Sequence, residues 1–593
     1  MTATAHVTDD RAAAIAPLRV APVSISHDLI AWTVAVGTLL VMYLLLQNPY
    51  WVPGGDSEVY TAIARNLAAG KGYTFNGQPV SMVPPGWPWL LALAMKISPT
   101  FMVLKLLTMT CMLGSLAIGY WVCRRYASPR LSAMVIILSG ILSHVYTLTF
   151  WLHSDALFCL LSMAALLVAF QINEGKTEKW RGVVLVVLCL AALTVRWAGL
   201  LTWVTVAAAL LRGDWRPQVN RRWVLAAVSG ALTLALFVGI RFALSVPPDV
   251  QRKIRDFGGM TEGTEQPIVP TADGTLGKEY PLWTPAQGGW RGQVGRAIGW
   301  GDWLGWFLWH PLRMGRSNTL VGVVGRLIGW SVLALLIVQA INAWKIRDWV
   351  WPALVGYSLL LALNWGQPNA RYLVPIAPLI ILGVFLGVLS LRERMADSRR
   401  AVLTLNVMLG YFVASIALCN GALWACDMYF ARSGDFYESY EAGANSDLIY
   451  AAYWLNEHPP GDGQIAVCER YENMGTVKTS RLGLRATTML TGKAIVSVPM
   501  KYLRSGDPRR NPNFLNWARS PDIGVKYVLY QPPVSPWRVF HFRVPWLQEA
   551  MTGEPAINNG ACWRLYEIPP SGDEAVRISV RAVSNWPTRV PGL

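Results

Sequence analysis

Asp56 and Glu58 stand directly after a long apolar run, in the stretch VPGGDSEVYTAIARNL (52–67). A carboxylate against a membrane face is costly unless it is hydrated, paired or functional. Carboxylates two positions apart do not share a helix face. They converge only if Asp56 ends a loop and Glu58 opens the next helix. SEVYTAIARNLAAGKGY (57–73) reads as that helix, with Val59, Ile63 and Leu67 on one side and Gly70 and Gly72 as stops. Two roles fit the spacing. Asp56 is a helix N-cap with Glu58 favouring the positive helix end, or Asp56 is a base that takes a proton from a hydroxyl.

Three further places carry candidate chemistry. In WLHSDALF (151–158), His153 and Asp155 fall between two apolar runs, as a cap or as functional groups. In NARYLVPIAP (369–378), Arg371 and Tyr372 stand at the mouth of another run. A guanidinium there binds a lipid phosphate or snorkels to the headgroups. Arg196, in LTVRWAGLL (193–201), is either an exposed hairpin turn or a second phosphate contact; Lys71 and Arg241 are weaker versions of the same idea.

The elements that must hold these residues are membrane helices. Of 593 residues, 53% are hydrophobic and 15% charged, and mean hydropathy is +0.34; a soluble domain carries roughly 25% charge. The chain therefore reads as an α-helical polytopic membrane protein. About eleven runs approach the length a bilayer asks of a helix: 29–47, 101–122, 131–150, 156–171, 182–195, 198–211, 223–241, 319–343, 349–364, 372–391 and 401–423. The stretch 86–97, bounded by Pro84, Pro85 and Pro99, reads as a half-helix or as the start of a span.

The net charge of +17 lies mostly in short clusters such as CRRYASPR (123–130) and RERMADSRR (392–400). These alternate with poorly charged loops, which argues for a positive-inside pattern and against nucleic acid as a partner. An N-terminal tail (1–28) is then cytoplasmic, and residues 29–423 form the membrane domain. The outer loops are 48–86 and 242–318, on the same side as HSD and Arg371. From 424 to 593 the composition changes: DLIYAAYWLNEHPP reads as a helix, and 464–469, 494–499, 525–531 and 562–568 as strands of an extracytoplasmic α/β domain. Of eight Cys, most read as buried hydrophobes, and a Cys468–Cys562 disulfide is open. The first apolar run reads as a retained anchor.

The order GGDSEVYTAIARNLAAGKGYTFNG, PPGWPWLLAL, HSDALFCLL, RYLVPIAP resembles the polytopic glycosyltransferases of the GT-C fold. In particular it is similar to the protein O-mannosyltransferase and lipid A aminoarabinose transferase group. The resemblance covers about residues 30–390 and implies about 11–13 transmembrane helices. It implies catalytic roles for Asp56 and Asp155, with Glu58 as the second acid of a first-loop pair that Ser57 interrupts. It implies phosphate or substrate contacts at Arg371 and Tyr372; by their own chemistry Arg196 or Lys71, and His153, are further candidates for such contacts. The donor would be a sugar on a polyprenyl phosphate. The acceptor would be a hydroxyl of a glycan, lipid or protein of the cell envelope, in a bacterial inner membrane with a periplasmic C-terminal domain.

The implied chemistry is inverting transfer: a carboxylate takes the acceptor proton as the bond to C1 forms, and cations hold the departing phosphate. Asp56, Glu58, Asp155 and His153 could form an oxygen-rich site suited to Mg²⁺ or Ca²⁺, and the sequence leaves open whether a divalent cation is used. Six Trp from Trp283 to Trp309 either line a sugar cleft or form an interfacial belt. The rival reading is a transporter or flippase of a lipid-linked sugar, which would place charges near the bilayer midplane.

Overall fold

In the computed structural model the described residues are 25–52, 56–80, 83–174, 179–211, 219–243, 300–301, 304–305, 307–309, 320–364, 370–432, 446–469, 471–473, 476–478, 482–491, 493, 495–497, 512–521, 523–531, 564–571, 574–578 and 588–590. The 242–318 connection and the Cys468–Cys562 pair fall largely or partly outside them.

All eleven apolar runs are helical. They are α1 (Ile25–Leu46), α4 (Phe101–Cys123), α5 with α6 (Pro129–Ile141, Ser143–Tyr146), α7 (Asp155–Asn173), α8 (Lys179–Val195), α9 (Gly199–Leu210), α10 (Val219–Ala243), α11 (Leu320–Lys345), α12 (Val350–Asn364), α13 (Ala377–Arg394) and α14 (Arg399–Arg432). Among the described residues six helices are long and apolar enough to cross a membrane, and the bent pair α5–α6 makes a seventh. The chain is thus a multi-pass helical membrane protein. Helices α8, α9 and α12 have 17, 12 and 15 residues, fewer than the roughly 20 that a bilayer core asks for. α14 runs on to Arg432, past the expected boundary at 423.

Two shorter helices follow α1. α2 (Asp56–Ala68) begins at Asp56 itself, and a tight hairpin of β1 (Thr74–Phe75) and β2 (Gln78–Pro79) comes after it. α3 (Gly86–Ile97) has 12 residues and reaches only about 18 Å at 1.5 Å per residue, so it does not cross. Its Trp87, Leu91 and Met95, four apart, are buried, while Trp89, Leu93 and Ile97 face outward. A Cβ at Gly86 would meet Thr194 at 2.8–3.0 Å, so only glycine lets α3 abut the end of α8 this closely.

The chain between α5 and α6 breaks at Leu142, with a bend of 69°. Backbone groups freed inside a membrane need partners. Asn420 of α14 supplies one: its Oδ1 accepts from Ser143 N–H at 2.9 Å, while its Nδ2 donates to Leu308 O at 3.1 Å. Tyr43 donates to Gly140 O at 2.9 Å just before the break. The bend delivers the His153 turn to one end of the bundle, where Trp87 Nε1 donates to Leu152 O at 3.0 Å.

The C-terminal part is a five-stranded sheet in the order β6-β3-β7-β8-β9. β3 (Gln464–Glu469) runs parallel to β6 (Ile495–Ser497) and β7 (Val525–Gln531); β8 (Arg564–Glu567) and β9 (Val576–Ile578) add on antiparallel. The β4–β5 hairpin (Tyr471–Asn473, Thr476–Lys478) lies outside this sheet. Helices α15 (Ser446–Glu457), α16 (Leu482–Thr491) and α17 (Pro512–Arg519) accompany the strands. Ile465 and Val467 join one core, whereas Ala466 joins the other with Phe514 and Leu515 of α17. Burial of both faces is the pattern of parallel strands. β9 and the two hairpins were not expected from the sequence.

Candidate active site

Four segments meet at one end of the bundle. α2 presents Asp56 in its first turn, the turn before α7 presents His153 and Ser154, α7 opens on Asp155, the α8–α9 break presents Arg196, and the 3₁₀ turn Ala370–Ile376 presents Arg371 and Tyr372. The turn geometry is local: Arg196 N–H still bonds back to Ala192 O at 3.0 Å, and Gly199 N–H bonds to Arg196 O at 2.9 Å. A Cβ at Gly199 would come within 2.5 Å of Leu193 N, so glycine is what lets the chain turn here.

The charges form two ion pairs. Arg371 Nη2 pairs with Asp56 Oδ2. Arg196 Nη1 pairs with Asp155 Oδ2 at 2.6 Å and also donates to Ser154 Oγ at 3.4 Å. The pairs differ in environment: the Asp56 side chain is 36% exposed, whereas that of Asp155 is 2% exposed. His153 lies between them, with Nδ1 at 3.2 Å from Arg371 Nη1 and 3.7 Å from Asp155 Oδ2. The Tyr372 ring lies under both guanidiniums, 5.3 Å from Arg196 Cζ and 5.4 Å from Arg371 Cζ. Each cation gains a π face in addition to its carboxylate.

Tyr60, one helical turn from Asp56, accepts from Ser154 Oγ at 3.1 Å. Burial pushes its phenol up to about 12, and the Asp56 carboxylate adds to this, so it is a neutral O–H donor at neutral pH. Burial opposes the charge of Arg196, but the Asp155 carboxylate more than offsets it and leaves the pKa above the ordinary value. Both arginines are therefore permanent cations beside two carboxylates.

Two candidates do not join the cluster. Glu58 is fully buried; two positions along a helix is roughly 200° of rotation, so it points away from Asp56. Because Asp56 already starts α2, the loop-then-helix convergence does not arise. Lys71 is exposed beyond the far end of α2, a helix length of about 18 Å from Asp56. The Arg241 side chain lies outside the described residues.

A divalent cation fits this donor set poorly. Asp56 and Asp155 each already carry a guanidinium, which a cation would have to displace. Among the described residues no group of three or more His, Cys, Asp or Glu is placed to hold a metal ion.

Tyr60 and Ser154 also belong to the cluster, though neither is an acid, a base or a cation. Tyr60 follows Asp56 by four, the same-face spacing of a helix, and Ser154 lies inside the HSD triplet, so both left a signal.

The cluster also touches the C-terminal domain through α2. Arg65, in the last turn of α2, donates to Met489 O at 2.6 Å and Thr488 O at 3.4 Å at the end of α16. Asn76, in the β1–β2 turn, donates to Ile495 O at 2.9 Å and accepts from Ile495 N–H at 2.5 Å. The sheet edge at β6 is thus capped by the first loop.

No protein-family model matches the chain, and no curated protein matches it by sequence. Among solved structures, the chain is similar to ArnT from Cupriavidus metallidurans bound to undecaprenyl phosphate, at 12% identity and a TM-score of 0.47, over 84% of this chain and 93% of that one. It is also similar to the Archaeoglobus fulgidus oligosaccharyltransferase tethered with an acceptor peptide, at 11% identity and a TM-score of 0.49, over 86% of this chain and 69% of that one.

Proposed function

We propose that this chain is an integral membrane inverting glycosyltransferase. It would move a sugar from a polyprenyl-phosphate carrier to a hydroxyl of a cell-envelope glycan, lipid or protein on the outer face of a bacterial inner membrane. The observation that carries the reading is the Asp56–Arg371 pair: a half-open carboxylate and a permanent cation sit side by side at the end of apolar helices. A lipid-borne phosphate would reach that place.

In this reading the acceptor oxygen attacks C1 of the sugar while the C1–O bond to the phosphate breaks. The hydroxyl proton goes to Asp56, and the polyprenyl phosphate leaves as an anion held by Arg371. Attack opposite the leaving group inverts the anomeric centre. Asp155, locked by Arg196, fixes the local field and the adjoining turn. Tyr60 offers a neutral donor to a sugar or acceptor hydroxyl.

The outer-face assignment rests on charge. Arg124 and Arg125 end α4 at the opposite end from the cluster, as the positive-inside pattern asks of a cytoplasmic side. The C-terminal domain, tied to α2 by Arg65 and Asn76, then shares the outer side with the cluster. The charged cluster lies at one end of the bundle, which supports transfer over transport. Transfer from a radiolabelled polyprenyl-phosphate sugar pool in membranes tests the reading. Label reaches an acceptor with wild type and is lost with Asp56→Asn and Asp155→Asn at matched expression. If wild type instead moves the carrier between leaflets without transfer, the reading is wrong.

A further inference from the structure

Arg371 is held from three sides. Nη2 meets Asp56, Nη1 stands 3.2 Å from His153 Nδ1, and the guanidinium lies over the Tyr372 ring. A guanidinium has donors only and keeps its proton in proteins. In this contact His153 Nδ1 is therefore the acceptor. The Asp155 carboxylate stands 3.7 Å from the same Nδ1 and is paired more closely with Arg196, at 2.6 Å.

The three contacts of Arg371 are not equivalent. Asp56 is the exposed partner, whereas His153 is 1% exposed and anchored by its own backbone, His153 N–H to Trp151 O at 2.8 Å. An incoming anion can replace an exposed partner at small cost, because water already competes for it. A buried partner is replaced only with a desolvation penalty. So if a phosphate enters, Arg371 gives up Asp56 and keeps His153.

We propose that His153 is a positioning residue for donor binding. Through Nδ1 it holds Nη1 of Arg371 while Nη2 passes from Asp56 to the donor phosphate. The exchange frees Asp56 to receive the acceptor proton only once the donor is in place. This inference rests on the glycosyltransferase reading above. No covalent bond changes in the exchange; one charge-assisted hydrogen bond is traded for another.

Side-chain chemistry gives a discriminating test. The Oδ1 of asparagine stands close to where Nδ1 of histidine stands, whereas the Oε1 of glutamine stands close to Nε2. Binding of sugar-free undecaprenyl phosphate to the purified full-length protein is measured for wild type, His153→Asn, His153→Gln and His153→Ala. The same four are measured in an Arg371→Ala background, alongside KM and kcat for transfer. Gln and Ala are expected to weaken binding about tenfold or more, the range for a hydrogen bond to a charged group. Asn recovers most of that loss. The defect appears in KM for the donor more than in kcat, and all four variants become equal once Arg371 is Ala. Equal losses for Asn and Gln, or losses that persist without Arg371, overturn the role of His153 and leave the glycosyltransferase reading standing. A wild type that neither binds undecaprenyl phosphate nor transfers sugar overturns both.

Discussion

Asp56 and Arg371 are 315 positions apart in the chain and meet side chain to side chain at one end of the helical bundle. The pair joins α2, which opens the first loop, to the turn that precedes α13. It sets a carboxylate and a guanidinium side by side, so an anion that reached Arg371 would compete with Asp56 for it.

Removing the carboxylate separates two effects that usually travel together. Asp56→Asn abolishes proton acceptance, and transfer falls by about 10²–10⁴-fold. The same change ends the competition for Arg371, so sugar-free polyprenyl phosphate binds as tightly as to wild type or more tightly. The check is a binding isotherm beside a transfer assay on one preparation. Binding that falls along with transfer would mean that Asp56 holds the site together and is not a competing anion.

The inner pair behaves differently because it is out of water. Arg196→Ala leaves the Asp155 carboxylate without its 2.6 Å partner, a change that costs about 3–5 kcal/mol for buried pairs. The variant should unfold at a clearly lower temperature in detergent. Replacing both groups with apolar residues, Arg196→Met with Asp155→Leu, recovers part of that loss while transfer stays absent. A single variant as stable as wild type would show that the pair is solvated.

Tyr60 gives a pH signature. Its phenol stands at about 12 in the folded protein against an ordinary value of 10.0. The raised folded value contributes stability that is complete below pH 10 and is lost as pH rises through about 12. Tyr60→Phe removes that term, so the variant should lose less stability than wild type between those limits. Thermal unfolding on a pH series checks it. Below pH 10 the pH profiles of transfer should keep one shape, since the phenol does not titrate there.

The helices were legible because hydropathy is a local property: every apolar run of the sequence is helical, though the run at 131–150 breaks at Leu142 and the last helix runs on to Arg432. Residue type and charge nominated Asp56, His153, Asp155, Arg196 and Arg371, but not which acid meets which arginine. Pairing is decided by the fold, as when Asn420 closes the break at Ser143 from 277 positions away. The same blindness made the set too wide. Glu58 and Lys71 have the right chemistry, and the rotation and length of α2 carry them elsewhere. Asn76 left the weakest trace, because a capped sheet edge needs the sheet, and its partner Ile495 is 419 positions on.

That cap yields the last prediction. Asn76 holds a left-handed backbone, φ 52°, and spends its amide on both backbone groups of Ile495. Arg65 closes the carbonyl end of α16; burial lowers its pKa to about 10, so it remains charged at neutral pH and suits a helix C-terminus. Asn76→Ala leaves buried polar groups of β6 unpaired at about 1–3 kcal/mol, and Arg65→Met does the same to the carbonyls of Met489 and Thr488. Both variants should speed amide exchange in α16 and β6 while the membrane helices stay protected. Because α2 carries Arg65 at one end and Asp56 at the other, loosening the dock should also reduce transfer, through a higher KM for the acceptor. Unchanged exchange in α16 would show that the C-terminal domain is held by other contacts. Faster exchange with unchanged transfer would show that α2 keeps Asp56 in place without the dock.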